Sequence, residues 1–345
     1  MVNVILAPYL QVGNQLLHVG PWEAIPAGQL ERAQTPSDLA FEQSRGLLEL
    51  YQKSRRVRDG FGVFFRRGRR LVGENFTVKD LATLCHVLLV ALLDRNPSDV
   101  GGDDTLNAGH QVRTSDNVDI IGHRIQPDGY VSARYGAMTQ AWVGGLRIGD
   151  GHSEIAPPIE VPFPILGRPP DSLYCNALWD VLRQDIDDVR RLAAAIGWLD
   201  LAWRNTPSTT HDMRVVMLKS GFEVLLGRGD RIDRQRPALS ALFDVPNPRS
   251  RVRHFTDRYG NPLQEEMTDL EWWYTRFTFL RNAITHGRRA SGRELRHGRH
   301  WHLWIAEYRL RQAIKEVTAQ HGHPLVRMDE FERAITLSIQ RYGLE

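Results

Sequence analysis

Cysteine is nearly missing from this chain: Cys85 and Cys175 are the only two in 345 residues. Two thiols, each inside a helix-like pattern, exclude a small scaffold stapled by disulfides. Lysine is almost as scarce, since Lys53, Lys79, Lys219 and Lys315 are the only four among 44 basic residues and the other 40 are Arg. So broad a preference for Arg is a property of the whole composition, and only local clustering can count as a nucleic-acid signal. Long apolar runs are absent too. The longest, Leu84 to Leu93, is interrupted by Cys85-His86 and is too short to span a bilayer. The chain does not open on a basic and then apolar run, so no signal peptide is expected, and the cytoplasm is the natural compartment. It also lacks a Gly-rich phosphate loop, an HExxH helix and a nucleophile elbow, which removes the common NTPase, zincin and hydrolase classes.

What remains is an ordinary soluble composition. Charged residues make up 25 %, the formal net charge is +3 and the mean hydropathy is −0.38. The length suffices for two domains with substantial cores. Their expected division lies at residues 156–170, where Pro157, Pro158, Pro162, Pro164, Pro169 and Pro170 forbid a regular helix. The fold class read from the sequence is α+β. A mixed α/β domain over residues 1–155 precedes an all-α helical bundle over residues 171–345.

In the first half, Val2 to Leu6 and Leu16 to Val19 read as strands joined by a Gly13-Asn14 hairpin turn. Pro36 to Arg58 and Val78 to Asp94 read as helices, and Gly62 to Phe65 as a strand. Val118 to Ile125 and Tyr130 to Tyr135 flank the turn signal Pro127-Asp128-Gly129. Gly101-Gly102 and Gly144-Gly145 read as turns. In the second half, Asp171 to Asn205 reads as one long amphipathic segment, and a nearly all-round apolar helix ends at Gly227. Asp230 to Leu263 reads as irregular, and Glu294 to Gln320 and Met328 to Tyr342 as further helices.

The chemistry concentrates in Leu280-Arg281-Asn282-Ala283-Ile284-Thr285-His286-Gly287. Arg offers a rigid fork of donors for a phosphate, and His exchanges protons near neutrality. The spacing alone is common, because Arg followed by His with four to six residues between them occurs six times in the chain. The setting is what distinguishes Arg281/His286. Thr268-Asp269 is a plausible N-cap with Glu271 in the first turn, and Gly287 stands where a left-handed residue would close the helix. Trp273, Phe277, Leu280 and Ile284 form an apolar stripe. Glu271, Thr275, Thr278, Asn282 and His286 form a polar one with no Lys or Arg, as expected of a face that meets another protein surface.

These residues resemble the last motif of the HEPN superfamily, in the Apea-like form where an "LRN…HG" helix follows an earlier helix reading like Leu218-Lys219-Ser220-Gly221-Phe222-Glu223-Val224-Leu225-Leu226-Gly227. The resemblance covers roughly residues 171–320. It implies a helical bundle and a metal-independent endoribonuclease needing no cofactor, of the kind that serves as toxin or antiviral effector. A ribose 2′-OH would attack the adjacent phosphate, with His286 as acid or base, Arg281 stabilising the phosphoryl oxygens and Asn282 orienting His286 or the phosphate. On a helical wheel Arg281 lies about 140° from His286, so one chain's pair does not converge. The family picture of two bundles facing each other, a homodimer with a shared cleft, fits that separation. The alternatives are a non-catalytic HEPN module that binds nucleotide or protein, and a structural dimerisation domain. The first half would then be a sensor or regulator that takes a protein or ligand.

Two arginine clusters are candidates for RNA contact. Arg288, Arg289, Arg293, Arg296 and Arg299 directly follow the motif, while Arg55, Arg56, Arg58, Arg66, Arg67, Arg69 and Arg70 read mainly as a solvated surface. Glu223, the only acid between Met213 and Leu226, is expected to be a structural partner for an Arg. His297, His300 and His302 lack the spacing of a common zinc site, and His110 and His123 with Asp103, Asp104 and Asp119 read as ordinary surface, so no metal site is assigned.

Overall fold

The structure is a computed structural model. It describes residues 2–11, 17–29, 45–47, 49, 61–66, 76–94, 118, 120–125, 130–135, 142–147, 172–204, 209–243, 250–256, 261–297 and 300–323. The helix expected over Met328 to Tyr342, most of that over Pro36 to Arg58, and the proline-rich stretch lie outside these residues. The chain forms two compact units. The first comprises Met1–Ser98, Asp103–Gln184 and Trp203–Thr206, and the second Asp99–Gly102, Asp185–Ala202 and Pro207–Glu345.

The first unit is built on an antiparallel sheet. Its strands are β1 (Val2–Gln11), β2 (Leu17–Val19), β3 (Trp22–Pro26), β4 (Phe61–Arg66), β5 (Ile121–Ile125), β6 (Tyr130–Tyr135) and β7 (Trp142–Arg147), in the order β2-β3-β4-β1-β5-β6-β7. β1 is central, with Ile5 opposite both Phe64 and Gly122. Successive residues Val4, Ile5, Leu6 and Ala7 are all buried, so both faces of the sheet are covered there. The expected hairpin at Gly13-Asn14 does not form, because β1 pairs with β4 and β5 while β2 pairs with β3. A turn signal marks where a chain can reverse, not which strand it then meets. Gly144-Gly145 likewise lies within β7 and not in a turn.

Helix α1 (Val78–Asp94) starts on a reciprocal cap: the Asp80 amide donates to Thr77 Oγ1 at 3.1 Å and the Thr77 amide donates to Asp80 Oδ2 at 2.8 Å. Leu81, Leu84, Cys85 and every residue from Val87 to Leu93 are buried, as an all-round apolar helix requires. Helix α2 (Ser172–Leu182) packs on α1 and β2. Arg183 bonds Asp80 at 3.0 Å, and the Gly20 amide donates to Asn176 Oδ1 at 2.8 Å. Gly20 has φ +55°, and a Cβ there would come within 2.3 Å of the Trp179 ring. The expected single segment from Asp171 to Asn205 is thus two helices separated by a turn, and the first belongs with the sheet.

The second unit comprises α3 (Asp187–Trp203), α4 (His211–Leu226), α5 (Ile232–Phe243), β8 (Ser250–Thr256), β9 (Pro262–Thr268), α6 (Asp269–Thr285), β10 (Arg296–His297), β11 (His300–Trp301) and α7 (His302–Gln320). It is mainly helical but not all-α, because β8 and β9 form a hairpin in the stretch expected to be irregular. The Glu294 to Gln320 helix starts later than expected, at His302, since β10 and β11 pair just before it. Helix α4 packs against α5, α6 and α7. Val215, Leu218, Phe222 and Leu225 form its buried row, whereas Met213 is 43 % exposed, so the helix is apolar on fewer sides than its sequence suggests. A Cβ at Gly221 would meet Leu310 of α7 at 2.9 Å and lie 3.5 Å from Trp198 of α3. The small residue in the middle of this motif is what lets three helices approach.

Among the described residues no helix is long and apolar enough to cross a membrane.

Candidate functional site

The site begins with the cap of α6. Thr268 Oγ1 accepts from the Glu271 amide at 3.2 Å, and Glu271 Oε2 accepts from the Thr268 amide at 2.8 Å, a complete capping box. Leu270, Trp273, Tyr274, Phe277 and Leu280 are buried along the helix. Phe222 of α4 sits edge-on to Trp273 and Tyr274, with ring centres 5.9 and 5.7 Å away. The helix ends as the sequence reading expected. The Gly287 amide donates to Ile284 O at 3.0 Å and the Arg288 amide to Ala283 O at 2.9 Å, with Gly287 at φ +75°. That pair of bonds is a Schellman closure, and it places His286 at the C-cap.

The two motif helices meet through charge. Lys219, with no exposed surface, donates from Nζ to Glu223 Oε1 at 2.8 Å, one turn along α4. It also donates to Gln235 Oε1 of α5 at 3.0 Å and lies 4.7 Å from the centre of the Tyr274 ring. Tyr274 Oη donates to the same Gln235 oxygen at 2.8 Å, while Gln235 Nε2 donates to Gly229 O. The other Glu223 oxygen, Oε2, faces Arg281 Nη2 at 3.6 Å. That is ion-pair range but longer than a good hydrogen bond. Arg281 Nη1 donates to Asn282 Oδ1 at 3.1 Å, and buried Arg281 Nε finds no acceptor among the described residues. Two cations therefore share one carboxylate. Burial lowers the pKa of Lys219, an effect that Glu223 opposes, and burial also raises the Tyr274 phenol well above its ordinary value.

Arg281 and His286 are not brought together in one chain. Arg281 is half-buried against α4, whereas His286 is exposed at the end of α6, and its amide donates to Asn282 O at 3.0 Å. The Asn282 side chain is turned to Arg281 and not to the imidazole. The polar stripe differs from expectation. Thr275 and Thr278 are 1 % and 7 % exposed, and their hydroxyls donate to Glu271 O and Tyr274 O, each at 2.8 Å. These small polar side chains fit a buried helix face because each is satisfied by the carbonyl one turn back. Only the last turn of the stripe is left for a partner.

Beyond the helix, Arg288, Arg289, Arg293 and Arg296 are all exposed; Arg299 lies outside the described residues. Arg288 pairs with Glu294 at 2.6 Å, and Arg296 lies 4.6 Å from the centre of the Trp301 ring, which is 43 % exposed. The Ser291 amide and then Arg288 hold the Glu294 carboxyl down to about 2. Of the first arginine cluster, only Arg66, at the end of β4, is placed. His297 and His302 are buried with ring centres 5.6 Å apart. Burial, and then the neighbouring His297 and Arg276, lower the His302 pKa to about 2. Burial also lowers His123 on β5 to about 3, so it is not a surface residue. Among the described residues no three His, Cys, Asp or Glu side chains are grouped to hold a metal ion.

Sequence reading expected Glu223 to pair with an Arg, and it does. It missed Lys219, Gln235 and Tyr274. One signal was available: in a chain that uses Arg for 40 of 44 basic positions, Lys219 falls on the apolar row of α4, four residues before the only acid between Met213 and Leu226. Comparison with known protein families, with curated proteins and with solved structures finds no match for this chain.

Proposed function

We propose that this protein is a metal-independent endoribonuclease of HEPN type, acting as a homodimer in the cytoplasm as a toxin or antiviral-defence effector. The observation that carries the reading is the junction of the two motif segments. Arg281, in the last turn and a half of α6, reaches Glu223 of the Leu218–Gly227 segment, while exposed His286 stands at the Schellman end of the same helix. Arg281 would stabilise charge on the phosphoryl oxygens, His286 would transfer the proton, and Asn282 would hold the guanidinium. Arg288, Arg289, Arg293 and Arg296 would contact the flanking phosphates. Because Arg281 and His286 point apart, the reactive pair would be completed across a two-fold axis at the last turn of α6. The N-terminal sheet unit would sense or restrain.

The test is incubation of the pure protein with total RNA in EDTA, followed by sequencing of the cut ends. Cleavage should persist and leave 2′,3′-cyclic phosphates, and RNA with a 2′-deoxy sugar at the cut site should be inert. A strict need for magnesium or manganese would overturn the mechanism. The second reading, a non-catalytic module, is favoured by the Glu223–Arg281 ion pair, which is what a purely structural Arg would make. It predicts RNA or nucleotide binding without any cut.

A further inference from the structure

The carboxylate shared by two cations carries an inference about how Arg281 is held. Glu223 makes a short contact with Lys219 at 2.8 Å and a loose one with Arg281 at 3.6 Å. Lys219 has further acceptors in Gln235 and the Tyr274 ring, so it is fixed from three sides. Among the described residues the Arg281 guanidinium has only Glu223 and the adjacent Asn282, and 28 % of its side chain is exposed.

We propose that Glu223 is the positioning residue of Arg281: anchored through one oxygen by buried Lys219, it holds the guanidinium loosely through the other, ready to be handed to an anionic oxygen of the substrate. This rests on the ribonuclease reading for the identity of the substrate, but not for the Glu223–Arg281 coupling itself. The physical case is an asymmetry of partners. If Arg281 had sole use of Glu223, turning to a phosphate would leave a half-buried carboxylate without compensation. Here Lys219 keeps Glu223 neutralised, so the transfer strands no charge. The surplus of one positive charge in the trio also favours an arriving anion. A guanidinium aligned before the anion arrives is the preorganisation that electrostatic stabilisation of a phosphoryl transition state needs.

The test uses the full chain and two readouts. Reaction of Arg281 with phenylglyoxal, followed by peptide mass spectrometry, reports on how the guanidinium is held and needs no enzymatic activity. Exposed Arg228 of the same protein serves as internal reference. Glu223→Gln should speed modification of Arg281 severalfold relative to Arg228, and inorganic phosphate should protect it. Lys219→Met, which keeps the Glu223–Arg281 contact, should not speed it. In RNA cleavage, Glu223→Gln should lower kcat by about tenfold to a hundredfold without raising KM, because alignment is lost while the cation remains. Should Glu223→Gln fail to fold with Lys219 left unpaired, Lys219→Met/Glu223→Gln removes both buried members and must show the same faster modification of Arg281. Unchanged modification in folded Glu223→Gln, or in the double variant where that single one does not fold, overturns the positioning role even if RNA is cut. Absence of any cut by wild-type protein overturns the ribonuclease reading and leaves the modification result to decide this one.

Discussion

Phe222→Ala should separate the two motif helices. Phe222 of α4 has no exposed surface and lies edge-on between Trp273 and Tyr274 of α6. A buried Phe removes on the order of 150–250 Å² from water, which at about 25 cal/mol per Å² corresponds to roughly 4–6 kcal/mol. Measured truncations of this kind cost about 3–5 kcal/mol, because neighbours close the cavity only in part. The assay is urea unfolding followed by tryptophan fluorescence, a signal to which Trp273 contributes as one of nine tryptophans. With a slope of about 2 kcal/mol per molar urea, the midpoint of the second unit should fall by about 2 M. A loss below about 1 kcal/mol would be that of a surface residue and would refute the packing of α4 on α6 described above.

His286→Ala should abolish RNA cleavage while leaving the circular dichroism and the unfolding midpoint within about 0.5 kcal/mol of wild type, because the helix end is closed by backbone bonds and the ring is exposed. Gly287→Ala should cost roughly 1–2 kcal/mol through the left-handed backbone alone, since a Cβ there would meet nothing within 4 Å; an unchanged midpoint would refute the Schellman closure. The pKa of His302 is lowered from 6.5 to about 2, so it is neutral in the folded protein. Its share of stability is present above the unfolded pKa and is lost as the pH falls from there towards the folded one. His302→Phe should therefore lose less stability than wild type between about pH 7 and about pH 5, as read from urea midpoints.

The helix boundaries of the second unit were legible where local chemistry sets them. Thr268, Glu271 and Gly287 are cap residues, and their donors and acceptors lie within four positions in the chain. The apolar row Trp273, Phe277, Leu280 was legible for the same reason. What failed depended on distant partners. The β8–β9 hairpin was hidden because Arg251, Val252 and His254 alternate with no clear apolar face, the strand being covered only where Arg253 and Phe255 reach Trp272, Asp269 and Phe279 of α6. Thr275 and Thr278 were read as facing outward because a hydroxyl satisfied by its own helix counts as polar in any scale but buries like a small apolar group. Lys219 stood out as a rare Lys on an apolar row, but its partners were not legible, because they come from three helices and no window of sequence contains Gln235 and Tyr274 with it.

The Lys219–Glu223 pair also restricts the order in which this protein could change over generations. Replacing Glu223 first would leave a fully enclosed ammonium beside Arg281 without its paired carboxylate, a step that burial makes costly. Replacing Lys219 first leaves Glu223 with a partner in Arg281 and exchanges a buried cation for an apolar side chain of similar length. A lineage that dispensed with the trio would pass through the loss of Lys219. Descendants with an apolar residue at 219 and Glu223 still in place should then outnumber those with the reverse combination.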